Sequence, residues 1–259
     1  MIFPPAILAA LDLADPSWRP VLLDGLAAMA AADPAYLPAL AADDYLPTGG
    51  RLFAAFALPL AAVRHVLVGE GPYPRAASAT GVCFMDGAVG HLWSDTGLSK
   101  AVNRATSLRN FMKMLLVADG RLAPDRTSGD ALAAVAAGAR APGTIQTLPE
   151  LQANLTAHGF LLLNAALVFR PHVAPVKEAR AWQPLLQAVL TALAGRAGAA
   201  PLLVLWGKIA EQLQRVPATA GLPQLLSEHP YNLSFIVNAD MLALFGPMRL
   251  LAAPAGAMK

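Results

Sequence analysis

The chain has 259 residues, of which 56% are hydrophobic and 14% charged, and its formal charge is +2. That length and apolar content can bury a large core and exclude disorder, while so mild an excess of base names no polyanionic partner by itself. The single cysteine, Cys83, excludes an internal disulfide framework and any cluster or zinc site built on several thiolates, and it fits a reducing cytoplasm.

The N-terminal stretch MIFPPAILAALDLAD is apolar but has no basic residue before Arg19 and carries Asp12 and Asp15, so it reads as a poor secretion signal. No apolar run reaches the roughly 18 residues that a membrane helix needs, because Arg64, Asn164 and the Gly207-Lys208 pair interrupt the longest ones. Helices are expected at 17–32 and 51–57. VRHVLVG (63–69) is the first of four short apolar runs, and it ends in the turn GEGPYP (69–74), where Glu70 stands between two glycines. A helix at 107–117, closed by Asp119-Gly120, precedes residues 121–147, which are loop-like at both ends with an alanine-rich helical centre and read as an insertion. A helix at 149–157 leads to GFLLLNA (159–165), and a helix at 182–195, closed by the Ala-Gly-Arg-Ala-Gly of 194–198, leads to PLLVLWG (201–207). A short helix at 207–214 and the weaker run LPQLLSEHP (222–230) follow. Continuous apolar runs of this length read as strands buried on both faces, and helices between them make a parallel α/β sheet the economical arrangement. Functional residues of such sheets sit where the strands end. No internal repeat is visible.

Four strand-end segments carry the polar residues: GEGPYP with GVCF (81–84), LLLNAALVFR (161–170), LLVLWGK (202–208) and EHPYNLS (228–234). In that order they resemble the uracil-DNA glycosylase superfamily, whose first family reads Gly-Gln-Asp-Pro-Tyr-His, Gly-Leu-Cys-Phe, Leu-Leu-Asn, Leu-Leu-Trp-Gly and His-Pro-Ser-Pro-Leu-Ser. TSLRNFMKML likewise resembles that family's Ser-Leu-x-Asn helix start, and the resemblance covers roughly residues 17–250 apart from the insertion.

The resemblance implies an enzyme that flips uracil out of DNA and hydrolyses its glycosidic bond. Phe84 would stack on the base, although a core aromatic is the plainer reading of such a residue. Asn164, an amide with one acceptor and two donors, would pair with N3–H and O4 of uracil; as a strand-end Asn it could equally cap a turn. Tyr73 would wall off C5 and reject thymine, or simply pack. His229 would donate to O2 as charge grows on the leaving base, and Leu233 would wedge into the space the base leaves. Ser107 would cap a helix or hold a DNA phosphate. Arg170 and Lys177, with Arg75 and Lys208 as further candidates, would face the DNA backbone or stay solvated. The histidines at 65, 91, 158 and 172 match no motif.

Glu70, Gly71 and Pro74 stand where the first family has Gln, Asp and His, and the missing Asp is that family's water-orienting group. GEG-P also looks like the opening of the fourth family, whose Glu is the important carboxylate but whose cluster needs four cysteines. The motif is thus a hybrid in which Glu70 would orient water and balance an oxocarbenium-like sugar, or would only close the turn. Tyr231 and Asn232 replace the family's Ser and Pro, and Val176 and Lys177 its Ser-His pair.

The expectation is a single domain over residues 1–259, a three-layer α/β/α fold with a four-stranded parallel sheet of order 2-1-3-4 and a 121–147 insertion. The expected function is a monofunctional, cytoplasmic, monomeric DNA repair glycosylase for uracil or a related deaminated base. It would act on single- or double-stranded DNA, with no metal, no other cofactor and no membrane partner. The alternative is an inactive relative that binds DNA or a protein; a third reading makes His172 a covalent trap for uracil.

Overall fold

The apolar runs become strands because each can lose water along its whole length. The computed structural model describes residues 3–139 and 143–253. In chain order its elements are α1 (Pro5–Ala10), α2 (Arg19–Ala32), α3 (Tyr36–Ala41), β1 (His65–Gly69), β2 (Trp93–Ser94), β3 (Gly97–Leu98), α4 (Lys100–Arg104), α5 (Thr106–Ala118) and α6 (Asp130–Ala139). They continue with α7 (Leu148–Ala157), β4 (Phe160–Asn164), α8 (Pro175–Gly195), β5 (Leu202–Trp206), α9 (Ile209–Leu213), β6 (Gln224–Ser227) and α10 (Ala239–Phe245). Short 3-10 turns link several of them. No helix among the described residues is long and apolar enough to cross a membrane.

One sheet runs β4-β1-β5-β6, which is the expected 2-1-3-4 order of the four long strands. β1 pairs in parallel with β4 from His65 opposite Phe160 to Gly69 opposite Asn164, and with β5 from His65 opposite Leu202 to Val68 opposite Leu205. The central strands carry no inward/outward alternation because both faces are covered. β6 is only partly buried along its length, as suits an edge strand with the polar sequence QLLS. The β2–β3 ribbon, joined by Asp95 and Thr96, is too short for any run-based reading to catch.

The chain divides into two compact units, residues up to Gly87 together with Gly159–Leu225, and Ala88–His158 together with residues from Leu226 on. In the first, α8 presents Trp182, Leu185, Leu186, Val189, Leu190 and Leu193 at helical spacing, all buried. α2 lies so close to it that a Cβ on Gly25 would stand 3.0 Å from Leu185 Cα. α8 starts at Pro175, seven residues before the helix expected from 182, because a proline in the first turn needs no amide partner and has its φ already set. The expected helix at 51–57 is instead a kinked 3-10 segment with non-helical backbone at Phe53 and Phe56, both fully buried. In the second unit, α5 buries Phe111 edge-on to Phe245 of α10 at 5.2 Å. α6 is the alanine-rich centre of the 121–147 segment, of which 140–142 lie outside the described residues.

Arg170 does not lie where a DNA ligand would. It is 8% exposed, its Nε donates to Glu178 Oε1 at 2.6 Å, and its Nη1 donates to Asp43 Oδ2 at 3.2 Å. Its guanidinium also stacks on the Tyr36 ring, whose hydroxyl donates to Glu178 Oε2 at 2.5 Å. Partial burial pushes Asp43 up, but the bonds from Arg170 and the Asp44 amide and the nearby His172 hold its carboxyl below the usual range. His172, read as a candidate trap, bonds the same Asp43 Oδ2 through Nε2 at 2.9 Å. The cation is therefore spent on the fold, tying α8 to the segments around Tyr36 and Asp43.

Removing one partner of such a pair leaves a buried charge. Glu178→Leu should cost about 3–5 kcal/mol in urea denaturation, whereas the double change with Arg170→Met should recover most of that loss.

Candidate functional site

In the first unit the site starts from two strand ends. Gly69 closes β1 opposite Asn164 at the end of β4. A Cβ on Gly69 would fall 2.6 Å from Cys83 Sγ and 2.9 Å from Asn164 Oδ1, so only glycine lets these three groups meet. Asn164 is 4% exposed. Ladder bonds continue past the strands, from Ala165 N to Gly69 O at 2.8 Å and from Ala166 N to Glu70 O at 3.1 Å, which locks the backbone of the Glu70 turn to the Asn164 segment. The Glu70 carboxylate itself is exposed and, with Gly71, Pro72 and Pro74, edges a cleft of about 540 Å³. A Cβ on Gly71 would meet only ordinary contacts with Ala166, the nearest at 3.6 Å, so that position has room for a side chain.

The GVCF segment is fastened beside β4 by the bond from Cys83 N to Leu162 O at 3.0 Å. Phe84 takes φ +67°, a left-handed conformation costly for an aromatic residue. The turn that holds it there needs Gly81, at φ +85°, because a Cβ would lie 2.3 Å from Arg51 O. Thr80 Oγ1 donates to Met85 O at 3.0 Å across the same turn. The strain leaves the Phe84 ring half-buried, packed edge-on to Trp206 at 5.2 Å. Tyr73 reaches the Phe84 carbonyl with its hydroxyl at the long distance of 3.5 Å, and burial raises its phenol, which stays protonated. Burial also pushes the Cys83 thiol up to about 12, so it is a packing group and not a nucleophile. Lys177 is exposed in the first turn of α8.

The second unit holds the other expected residues. His229 is exposed two residues after β6, and its Nδ1 accepts from Tyr231 N at 3.1 Å. A neutral ring fixed that way carries its proton on Nε2, so its donor is Nε2–H. Leu233 and Tyr231 stand 69% and 67% exposed on the same loop. Ser107 is the second residue of α5 and half-buried; the helix is capped at Ala105 without a side-chain bond, so Ser107 is not its cap.

Sequence reasoning gave no role to Asn110, although it is the Asn of the Ser-Leu-x-Asn match. It is fully buried, and its Nδ2 donates to Pro230 O at 2.8 Å and more weakly to the carbonyls of Tyr231 and Asn232 at 3.3 and 3.4 Å. It pins the loop that carries His229. At the other end of that loop, Asn238 Nδ2 donates to Glu228 Oε2 at 2.8 Å while its Oδ1 caps α10 at Met241 N. The available signal was a carboxamide inside the apolar run of α5, where an unpaired amide would be costly.

The strand ends of a parallel α/β sheet thus carry a buried amide, a strained aromatic and an exposed carboxylate. No family model matches the chain. A uracil-DNA glycosylase of Corynebacterium glutamicum is 30% identical over 202 residues, 75% of this chain and 72% of that protein. One from a Nocardioides species is 29% identical over 194 residues, 73% of this chain and 66% of that protein, so the match spans about two thirds of its length. The crystal structure of a UNG from Nitratifractor salsuginis superposes with a TM-score of 0.88 at 40% identity, covering 97% of this chain and 100% of that one. The uracil-DNA glycosylase of mimivirus shares the fold, with a TM-score of 0.54 at 18% identity over 88% of this chain and 73% of that one. The chain belongs to the uracil-DNA glycosylase family.

Gly69→Ala should force Cys83 and Asn164 apart. Overpacking of this kind costs roughly 1–3 kcal/mol. The variant should melt several degrees below wild type, and its Cys83 should react with Ellman's reagent under conditions where the wild-type thiol stays inert.

Proposed function

We propose that this chain is a DNA repair enzyme that hydrolyses the glycosidic bond of uracil in DNA, the activity its relatives are named for. The observation that carries the residue-level reading is Asn164, an amide fixed at the end of β4 by the Gly69 register. Its acceptor oxygen matches N3–H of uracil and its N–H donors match O4, and cytosine presents the opposite pattern. Phe84 stacks on the base, and Tyr73, held protonated, blocks the C5 position against a thymine methyl. The base is flipped out of the stack to reach these groups.

In the reaction the bond from C1′ to N1 breaks and its electron pair leaves with uracil. His229 Nε2–H donates to O2 as that charge grows, the protonation that the Nδ1 bond to Tyr231 favours. Glu70 balances the oxocarbenium-like sugar and accepts the proton of the water that attacks C1′. Leu233 and its exposed neighbour Tyr231 fill the space the base leaves. Lys177 and Ser107 face phosphates; Arg170, buried in its ion pairs, has no part in this. The reading needs no metal or other cofactor, and it places the enzyme in the cytoplasm as a monomer acting on single- or double-stranded DNA.

Single-turnover incubation with a uracil-containing oligonucleotide, scored as alkali-labile abasic sites, tests the assignment. Glu70→Gln should lower the rate by roughly 10²–10⁴, and His229→Ala by about 10²–10³. Wild-type rates in Glu70→Gln would remove that carboxylate from the mechanism. Asn164→Asp should lose the discrimination between uracil and cytosine, and unchanged discrimination would overturn its role. Gly71→Asp, for which the backbone has room, should restore part of the rate in the Glu70→Gln background if a carboxylate is all that this turn supplies.

A further inference from the structure

The second unit contains a cavity of about 370 Å³, lined in part by Leu233, that the reading above leaves unused. Its walls come from the Thr96 turn between β2 and β3, from Ser128 just before α6, and from the face of α5 that carries Arg109 and Lys113. Among the described residues no acidic side chain lines it. Arg109 and Lys113 are four apart on one helix, so their charges are neighbours and repel. Both are half-buried. Arg109 is aimed by bonds from Nη1 to Asn103 O at 3.2 Å and from Nε to Asn110 Oδ1 at 3.4 Å. The Lys113 ammonium has neither a hydrogen bond nor an ion pair among the described residues.

Two adjacent cations, partly out of water and with no counter-ion among the described residues, are poised for an anion that arrives from outside. We propose that this cavity binds a phosphodiester group of the DNA, with Arg109 and Lys113 supplying the charge and the hydroxyls of Thr96 and Ser128 the neutral donors. The occupant is a DNA phosphate because Leu233, the residue assigned to enter the duplex, forms part of the same wall. Burial and the neighbouring Arg109 already hold the Lys113 ammonium below the ordinary lysine range, a cost that a bound phosphate would reverse. The inference rests on the glycosylase reading and deepens it. It also gives the 121–147 segment a task, since α6 packs on β3 and Ser128 closes one side of the cavity.

Fluorescence-anisotropy titration of a uracil-containing duplex between roughly 50 and 200 mM salt tests it, because each lost phosphate contact makes the slope of log K against log salt shallower by about 0.9. Lys113→Met, which keeps the packed stem, should show that change and bind roughly tenfold more weakly at the low-salt end. Lys113→Gln serves as the second variant should Met disturb the helix. Arg19→Gln, an exposed arginine paired with Asp12, removes the same charge and should keep the wild-type slope. A wild-type slope in both Lys113 variants overturns the pocket. Inorganic phosphate that raises the melting temperature of the wild type but not of Lys113→Met, with DNA slopes unchanged, would mean a free-phosphate site and overturn the DNA assignment. Excision is read in parallel: its absence in the wild type overturns the glycosylase reading, while a shallower slope in Lys113→Met still upholds the phosphate site.

Discussion

The parallel register of β1 against β4 is the constraint from which the first unit's share of the site follows. It sets Gly69 opposite Asn164 with too little space for one methyl group, and Cys83 fills the remaining side. Because the ladder continues through Ala165 and Ala166, the Glu70 turn inherits the rigidity of the sheet although its carboxylate reaches solvent. Strand ends are good places for chemistry for this reason: the backbone is fixed by hydrogen bonds the side chains need not supply.

Around that fixed edge the unit concentrates its local costs. Phe84 sits in a left-handed conformation, held by a glycine turn and by the bond from Cys83 to β4. Residues kept in such conformations persist only where the surroundings over-determine them. The Tyr36, Asp43, Arg170 and Glu178 cluster is a second such investment, a buried charge network whose hydrogen bonds join α8 to the N-terminal segments. Its members are neither free cations nor free acids, and their work is orientation.

The second unit solves a different problem, how to hold an exposed loop in one shape. The side chains of Tyr231 and Leu233 point into water and cannot anchor themselves, so the backbone is gripped instead. Asn110 satisfies three successive carbonyls from within the core, Phe235 is buried just beyond, and Asn238 ties the far end to Glu228. The same α5 that supplies Asn110 also carries Arg109 and Lys113, a pair with no counter-ion among the described residues. Packing, loop support and anion chemistry thus share one 13-residue helix.

The sequence by itself determined the four long strands, and through resemblance their order and the family. Apolar runs such as FLLLN read as strands buried on both faces. It also placed Glu70, Tyr73, Phe84 and Asn164 near strand ends, since linear order along a strand maps directly onto position along the sheet edge. Side-chain partnership was not legible. Arg170 and Lys177 look alike as basic residues of one segment, and only the tertiary structure buried the first against Glu178 and Asp43 and left the second in solvent. Asn110 read as one polar residue in a helix until the fold set three carbonyls, 120 to 122 residues away in sequence, within its reach. Such assignments depend on which distant groups share a small volume, and no local propensity encodes that.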